Sequence, residues 1–141
     1  GVNADSYGED FKDTVEKLQN ASGKISYSLV ALWCIDTSKL SPDEAIGKWR
    51  SHKERLDSLE SGFEELESVR KDIEKLGRNV PAEYEDQYRQ LERYLDLTDT
   101  IYDYVINFEF KSAKETSEKA GELMYARTAY INYFQEMGYI D

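Results

Sequence analysis

Apolar residues return every three or four positions along nearly the whole of this 141-residue chain, a period that fits one face of an α-helix. In the first segment the series is Phe11, Val15, Leu18, Ile25, Leu29 and Leu32, with Ser22 its single polar member. It predicts a helix over about 8–34, carrying Gly23 inside it at a cost of ~1 kcal/mol. A connector leads to Ser41-Pro42-Asp43-Glu44, where Ser can cap a helix, Pro can open it and Glu44 can return a bond to the cap. That helix is expected over 42–76 on Trp49, His52, Leu56, Leu59, Phe63, Leu66, Arg70 and Ile73, with a bend near Gly62 and Gly77 as a left-handed stop.

A turn with Pro81 opens a third helix, 82–109, on Tyr84, Tyr88, Leu91, Leu95, Thr98, Tyr102 and Val105. A second stripe, Tyr94, Leu97, Ile101, Tyr104 and Phe108, widens its apolar face, so this helix is expected to be the most buried. Ser112 and Glu115 make another capping pair for a fourth helix, 112–137, on Ala113, Thr116, Ala120, Leu123, Arg127, Tyr130, Phe134 and Met137, closing at Gly138. Four long amphipathic helices with short connectors predict an all-α fold, an antiparallel up-down-up-down four-helix bundle. A three-helix, spectrin-like bundle is the alternative, reached if Ser112 lies within a continuous helix. No internal repeat or low-complexity tract divides the chain, so 1–141 reads as a single domain.

With 29 acidic against 18 basic residues, the chain carries a net charge of −11. That field repels a phosphate backbone, and the dispersed cations form no basic footprint, so no nucleic-acid partner is expected. Anionic lipid is disfavoured for the same reason. The longest apolar-leaning stretch, 25–35, is well short of the ~20 residues that span a bilayer, so no transmembrane segment is expected. The opening residues have no basic and apolar leader pattern. Gly1 stands where an initiator Met would, and the chain is expected to begin inside a longer gene product.

Catalytic patterns are sparse. Cys34, the one cysteine, sits among Leu32, Trp33 and Ile35 and reads as a packed thiol. His52, the one histidine, occupies an apolar series and reads as a packed residue rather than a general base. Asn20-Ala21-Ser22 matches a glycosylation sequon in mid-helix and reads as a chance match. Glu92, Asp96, Asp99 and Asp103 form an acidic stripe on the third helix, but a di-iron bundle needs histidines that the chain lacks. No metal and no cofactor are expected. The stripe is read as a solvated face, with weak divalent-cation binding or an electropositive partner as the alternatives. Nine of the eleven tyrosines lie in 84–139, and Tyr125, Tyr133 and Tyr139 fall off the apolar stripe as candidates for exposed docking residues.

The long charged second helix, the Asn79-Val80-Pro81-Ala82-Glu83-Tyr84 turn and the Tyr/Leu-rich closing helices resemble the helical-bundle domains of small secreted lipoproteins of Gram-positive bacteria. The chain departs from them in having no lipobox cysteine at its start. The resemblance implies an extracellular or cell-surface location in a bacterium, with a lipid anchor lying outside these residues. A cytoplasmic location stays open, and no activity or site residue carries over.

The expected function is therefore a non-enzymatic surface or secreted domain that binds a protein or cell-wall component through an acidic, Tyr-bearing face. The alternative is a small-ligand carrier, with its pocket between the third and fourth helices where small Ala113, Ala120 and Gly121 give way to Tyr130 and Phe134.

Overall fold

A computed structural model describes residues 4–34, 39–53 and 57–141, and every regular element in them is helical. Helix α1 spans Ala4–Cys34, α2 Pro42–Lys53, α3 Asp57–Leu76, α4 Glu85–Ile106 and α5 Ala113–Glu136. A 3₁₀ turn, Ala82–Tyr84, leads into α4. Five helices stand where the spacing predicts four, because the predicted second helix is represented by α2 and α3. Its continuity falls at 54–56, outside the described residues, as do 35–38 and the side chains of Trp33 and Cys34.

Local chemistry sets the helix ends. The Ser41 hydroxyl accepts the Glu44 N–H at 3.2 Å while the Glu44 carboxylate accepts the Ser41 N–H at 3.5 Å, a reciprocal capping box. Ser112 is extended, and its hydroxyl accepts the Glu115 N–H at 3.0 Å. Helix α4 has already ended at Ile106 and α5 starts afresh from this extended cap, so the unbroken helix of the three-helix alternative does not form. At the end of α5, Gly138 adopts φ +79° and lets the Tyr139 N–H donate to the Phe134 carbonyl at 3.0 Å, a Schellman closure.

Gly77 differs from expectation. It is not left-handed; the Tyr88 hydroxyl occupies the place of its missing Cβ and donates to the Ile73 carbonyl at 3.2 Å. The need is for space rather than for an unusual backbone.

Pairwise contacts give the helix directions. Lys17 meets Asp72 and Lys24 meets Glu65, so α3 runs antiparallel to α1. Phe63 meets Tyr102 and Arg70 meets Asp99, so α4 runs antiparallel to α3. Tyr94 meets Phe134, and the Gln87 carboxamide oxygen accepts from the Tyr139 hydroxyl, so α5 runs back along α4. Helices α1 and α4 are parallel and also touch, through Tyr7 with Tyr84 and Gln19 with Tyr94. Helix α2 rests on the others through buried Ala45 and Trp49, whose indole meets Phe108 edge-on at 6.0 Å.

The most buried helix is α1, not the predicted third one. It packs on α3, α4 and α5, and Phe11, Val15, Leu18, Ala21, Ile25 and Leu29 are fully enclosed together with Ser22 and Ser28. The short polar side chains of the two serines count against burial in a periodicity reading, yet they fit a helix surrounded on several sides. Ser28 satisfies itself on the Ile25 carbonyl and Ser22 accepts from Arg127. Helix α3 buries Leu59, Gly62, Leu66, Val69, Ile73 and Leu76, which turns Phe63 and Arg70 toward the edge facing α4.

Helices α1 and α3 approach closely at Gly62. A Cβ there would lie 2.9 Å from the Lys24 Cβ and 3.0 Å from the Ile25 Cγ1. Alanine gains helix propensity of ~1 kcal/mol at such a position, but overpacking costs about 1–3 kcal/mol. Gly62→Ala is expected to lower the urea midpoint and Gly62→Val to lower it further; a raised midpoint for Gly62→Ala would show that the helices separate freely.

Candidate functional site

The acidic stripe of α4 divides when α3 packs beside it. Both Asp99 oxygens are held by Arg70, at 3.0 and 2.5 Å, and the Arg70 Nε reaches Glu67 at 3.4 Å. The bidentate hydrogen bond with Asp99 holds the Arg70 pKa above its usual value. Glu92, Asp96 and Asp103 remain exposed. Three of the four predicted carboxylates therefore face solvent, and the fourth is a partner of α3.

Two aromatic residues lie in the same seam. Phe63 of α3 is 36% exposed, and its ring stacks on Tyr102 of α4 with centroids 4.6 Å apart. Further along, burial, with Glu92 and Glu74 adding to it, raises the pKa of Tyr88. The stack leaves a small aromatic patch on the seam, and Glu92, Asp96 and Asp103 stand exposed along the same helix as Tyr102. The spacing that marked the stripe missed Phe63, Arg70, Tyr88 and Tyr102. Spacing alone puts Phe63 and Arg70 on the apolar face, and their actual column appears only when α3 is oriented by Leu66, Val69 and Ile73.

The three off-stripe tyrosines do not gather at this seam. Tyr125 is 83% exposed on α5. Tyr133 and Tyr139 are half-buried, contrary to the exposed docking role expected of them, because the Schellman turn folds Tyr139 back over Phe134 and Phe11. Tyr133 packs edge-on against Phe134. Tyr139 thus belongs to an aromatic plug with Tyr7 and Tyr84 at one end of the molecule.

The carrier pocket expected where Ala120 gives way to Tyr130 and Phe134 is filled. Tyr130 stacks on Tyr94 at 5.4 Å, and Phe134 is fully buried against the same ring. Hollows lie instead beside α1. One of about 370 Å³ opens between its first half and the end of α3, and a shallower one of about 580 Å³ runs past Lys24, Tyr27, Glu65 and Arg127. His52 is half-buried on α2, and its neighbours at 54–56 lie outside the described residues. Among the described residues, no group of three or more His, Cys, Asp or Glu side chains could hold a metal ion, and no helix is long and apolar enough to cross a membrane.

No protein-family model, curated protein or solved structure matches this chain.

The aromatic plug carries a pH signature. Burial, reinforced by neighbouring tyrosines, pushes the Tyr7 and Tyr139 hydroxyls up to about 12. Because these folded-state values lie above the unfolded value of about 10, the unfolded chain releases these protons first. Their contribution to stability is complete below about pH 10 and is lost as pH rises toward 12. Urea unfolding between about pH 9 and 11.5 should show a falling midpoint, with a shallower fall in Tyr139→Phe. An equal slope in wild type and variant would contradict this assignment.

Proposed function

We infer that this chain is a non-enzymatic binding module whose acidic, Tyr-bearing face is the α3/α4 seam, and that its ligand is a basic protein segment or a positively charged cell-wall component. In this reading α1, α3, α4 and α5 form an up-down-up-down four-helix bundle, and α2 is an appended helix. The observation that carries the functional reading is the Phe63–Tyr102 stack, with Phe63 36% exposed and Tyr102 on the helix that also carries the exposed carboxylates Glu92, Asp96 and Asp103. An apolar contact of this kind supplies affinity, while the carboxylates of that helix steer and select a cationic partner. Tyr125 stands apart on α5 and has no assigned part in the seam. The surface or secreted location rests on the resemblance to Gram-positive lipoprotein domains.

Calorimetric titration with a Lys/Trp decapeptide and with octalysine tests the seam directly. Binding should weaken about tenfold or more between about 50 and 500 mM salt. The double variant Asp96→Lys/Asp103→Lys should abolish binding of both peptides, whereas Phe63→Ala should weaken the Trp-bearing peptide more than octalysine. Unchanged affinity and salt dependence in the charge-reversed protein would overturn the reading. Purified cell-wall fragments titrated through the same salt steps distinguish a wall ligand from a protein one.

A further inference from the structure

The hollow of about 370 Å³ between the first half of α1 and the end of α3 is lined by charges of both signs. Its floor is made by Tyr7, Thr14 and Leu76, all buried, with the Tyr7 hydroxyl donating across it to the Leu76 carbonyl at 3.1 Å. Lys17 and Asp72 join at 2.9 Å among its lining residues. Beyond that pair, α1 contributes Asp10 and Asp13, and the end of α3 and its following turn contribute Lys75 and Arg78. The lining is electrically balanced, three carboxylates against three cations, within a chain of net charge −11.

The opposed charges do not neutralise one another. Among the described residues no ion pair joins Asp10 or Asp13 to Lys75 or Arg78, although all four line the same hollow. Helices α1 and α3 are in close contact at Gly62, and the Tyr7 hydroxyl bridges them at the other end. Asp10 and Asp13 stand three residues apart on one helix and therefore share a face. A simple carboxylate would meet these two aspartates as well as the overall negative field. A simple amine would meet Lys75 and Arg78. A molecule with a positive and a negative end satisfies both walls, and the volume, near the lower limit for ligand sites, sets a small size.

We propose that this cleft binds a small zwitterion of amino-acid or dipeptide size, its ammonium group at Asp10 and Asp13 and its carboxylate at Lys75 and Arg78. Thr14 donates its proton to the Asp10 carbonyl, which leaves its oxygen as an acceptor on the floor.

The test is titration of the ¹⁵N-labelled protein with glycine, diglycine and triglycine, following the backbone amides of Thr14 and Asn79. Saturable shifts are expected from at least one free zwitterion. N-acetyl-diglycine, which lacks the ammonium group, and diglycine amide, which lacks the carboxylate, should each bind about tenfold more weakly or worse. Asp13→Asn and Arg78→Gln should each reduce the affinity several-fold while the remaining amide spectrum stays that of the folded protein. Asp96→Lys, on the α4 seam, should bind the zwitterion as wild type does, so failure here is distinguishable from failure of the seam. No saturable shift with any free peptide at about 20 mM, or equal binding of the blocked and free forms, would overturn the proposal.

Discussion

Tyr94 ties three helices together. From α4 its hydroxyl donates to the Gln19 carboxamide oxygen on α1 at 2.5 Å, while its ring stacks on Tyr130 and lies against Phe134 of α5. The side chain is fully enclosed, and burial raises the pKa of its hydroxyl. A buried hydroxyl without a partner costs free energy of roughly 1–3 kcal/mol, a cost that Gln19 removes, with Ser22 and Arg127 also within reach of the same hydroxyl. Next to this contact, Arg127 donates to Ser22 at 2.9 Å, and α5 is thereby aligned with α1 as well. The parallel pair α1 and α4 can touch because α3 and α5 pack on either side of them.

A close frame on one side of α1 has consequences on its surface. Gly62 lets α3 approach at Lys24 and Ile25, and the Lys17–Asp72 and Lys24–Glu65 pairs follow the same seam. These pairs are exposed or half-exposed and contribute little to stability, ~0–1 kcal/mol each. The apolar column of Leu59, Leu66, Val69 and Ile73 holds α3 instead. Once that column faces inward, Phe63 and Arg70 can lie only at the edge toward α4, where one stacks on Tyr102 and the other captures Asp99. The candidate binding seam is thus a by-product of how α3 is turned.

Much of this was legible residue by residue. Ser41 with Glu44, and Ser112 with Glu115, could be recognised because a cap is a contact between residues three apart. The apolar series of α1 was legible for the same reason. Gly77 was misread because its constraint comes from Tyr88, a residue on another helix. Tyr139 was misread because a left-handed Gly138 folds it back onto the core, whereas continued helical spacing would carry it outward. Of the acidic stripe, Glu92, Asp96 and Asp103 were found as a solvent-facing group, but the fate of Asp99 depended on Arg70, 29 residues earlier.

By itself the sequence determined that the chain is helical, where several helices start and stop, and which residue types each helix offers to a core. Those properties follow from interactions within one or two turns, which repeat with the helix period. Tertiary structure decided which helix lies at the centre, which tyrosines are enclosed, and which charges meet. Such outcomes depend on how separate faces are matched across long stretches of chain, and a period of 3.6 residues carries no information about which face meets which.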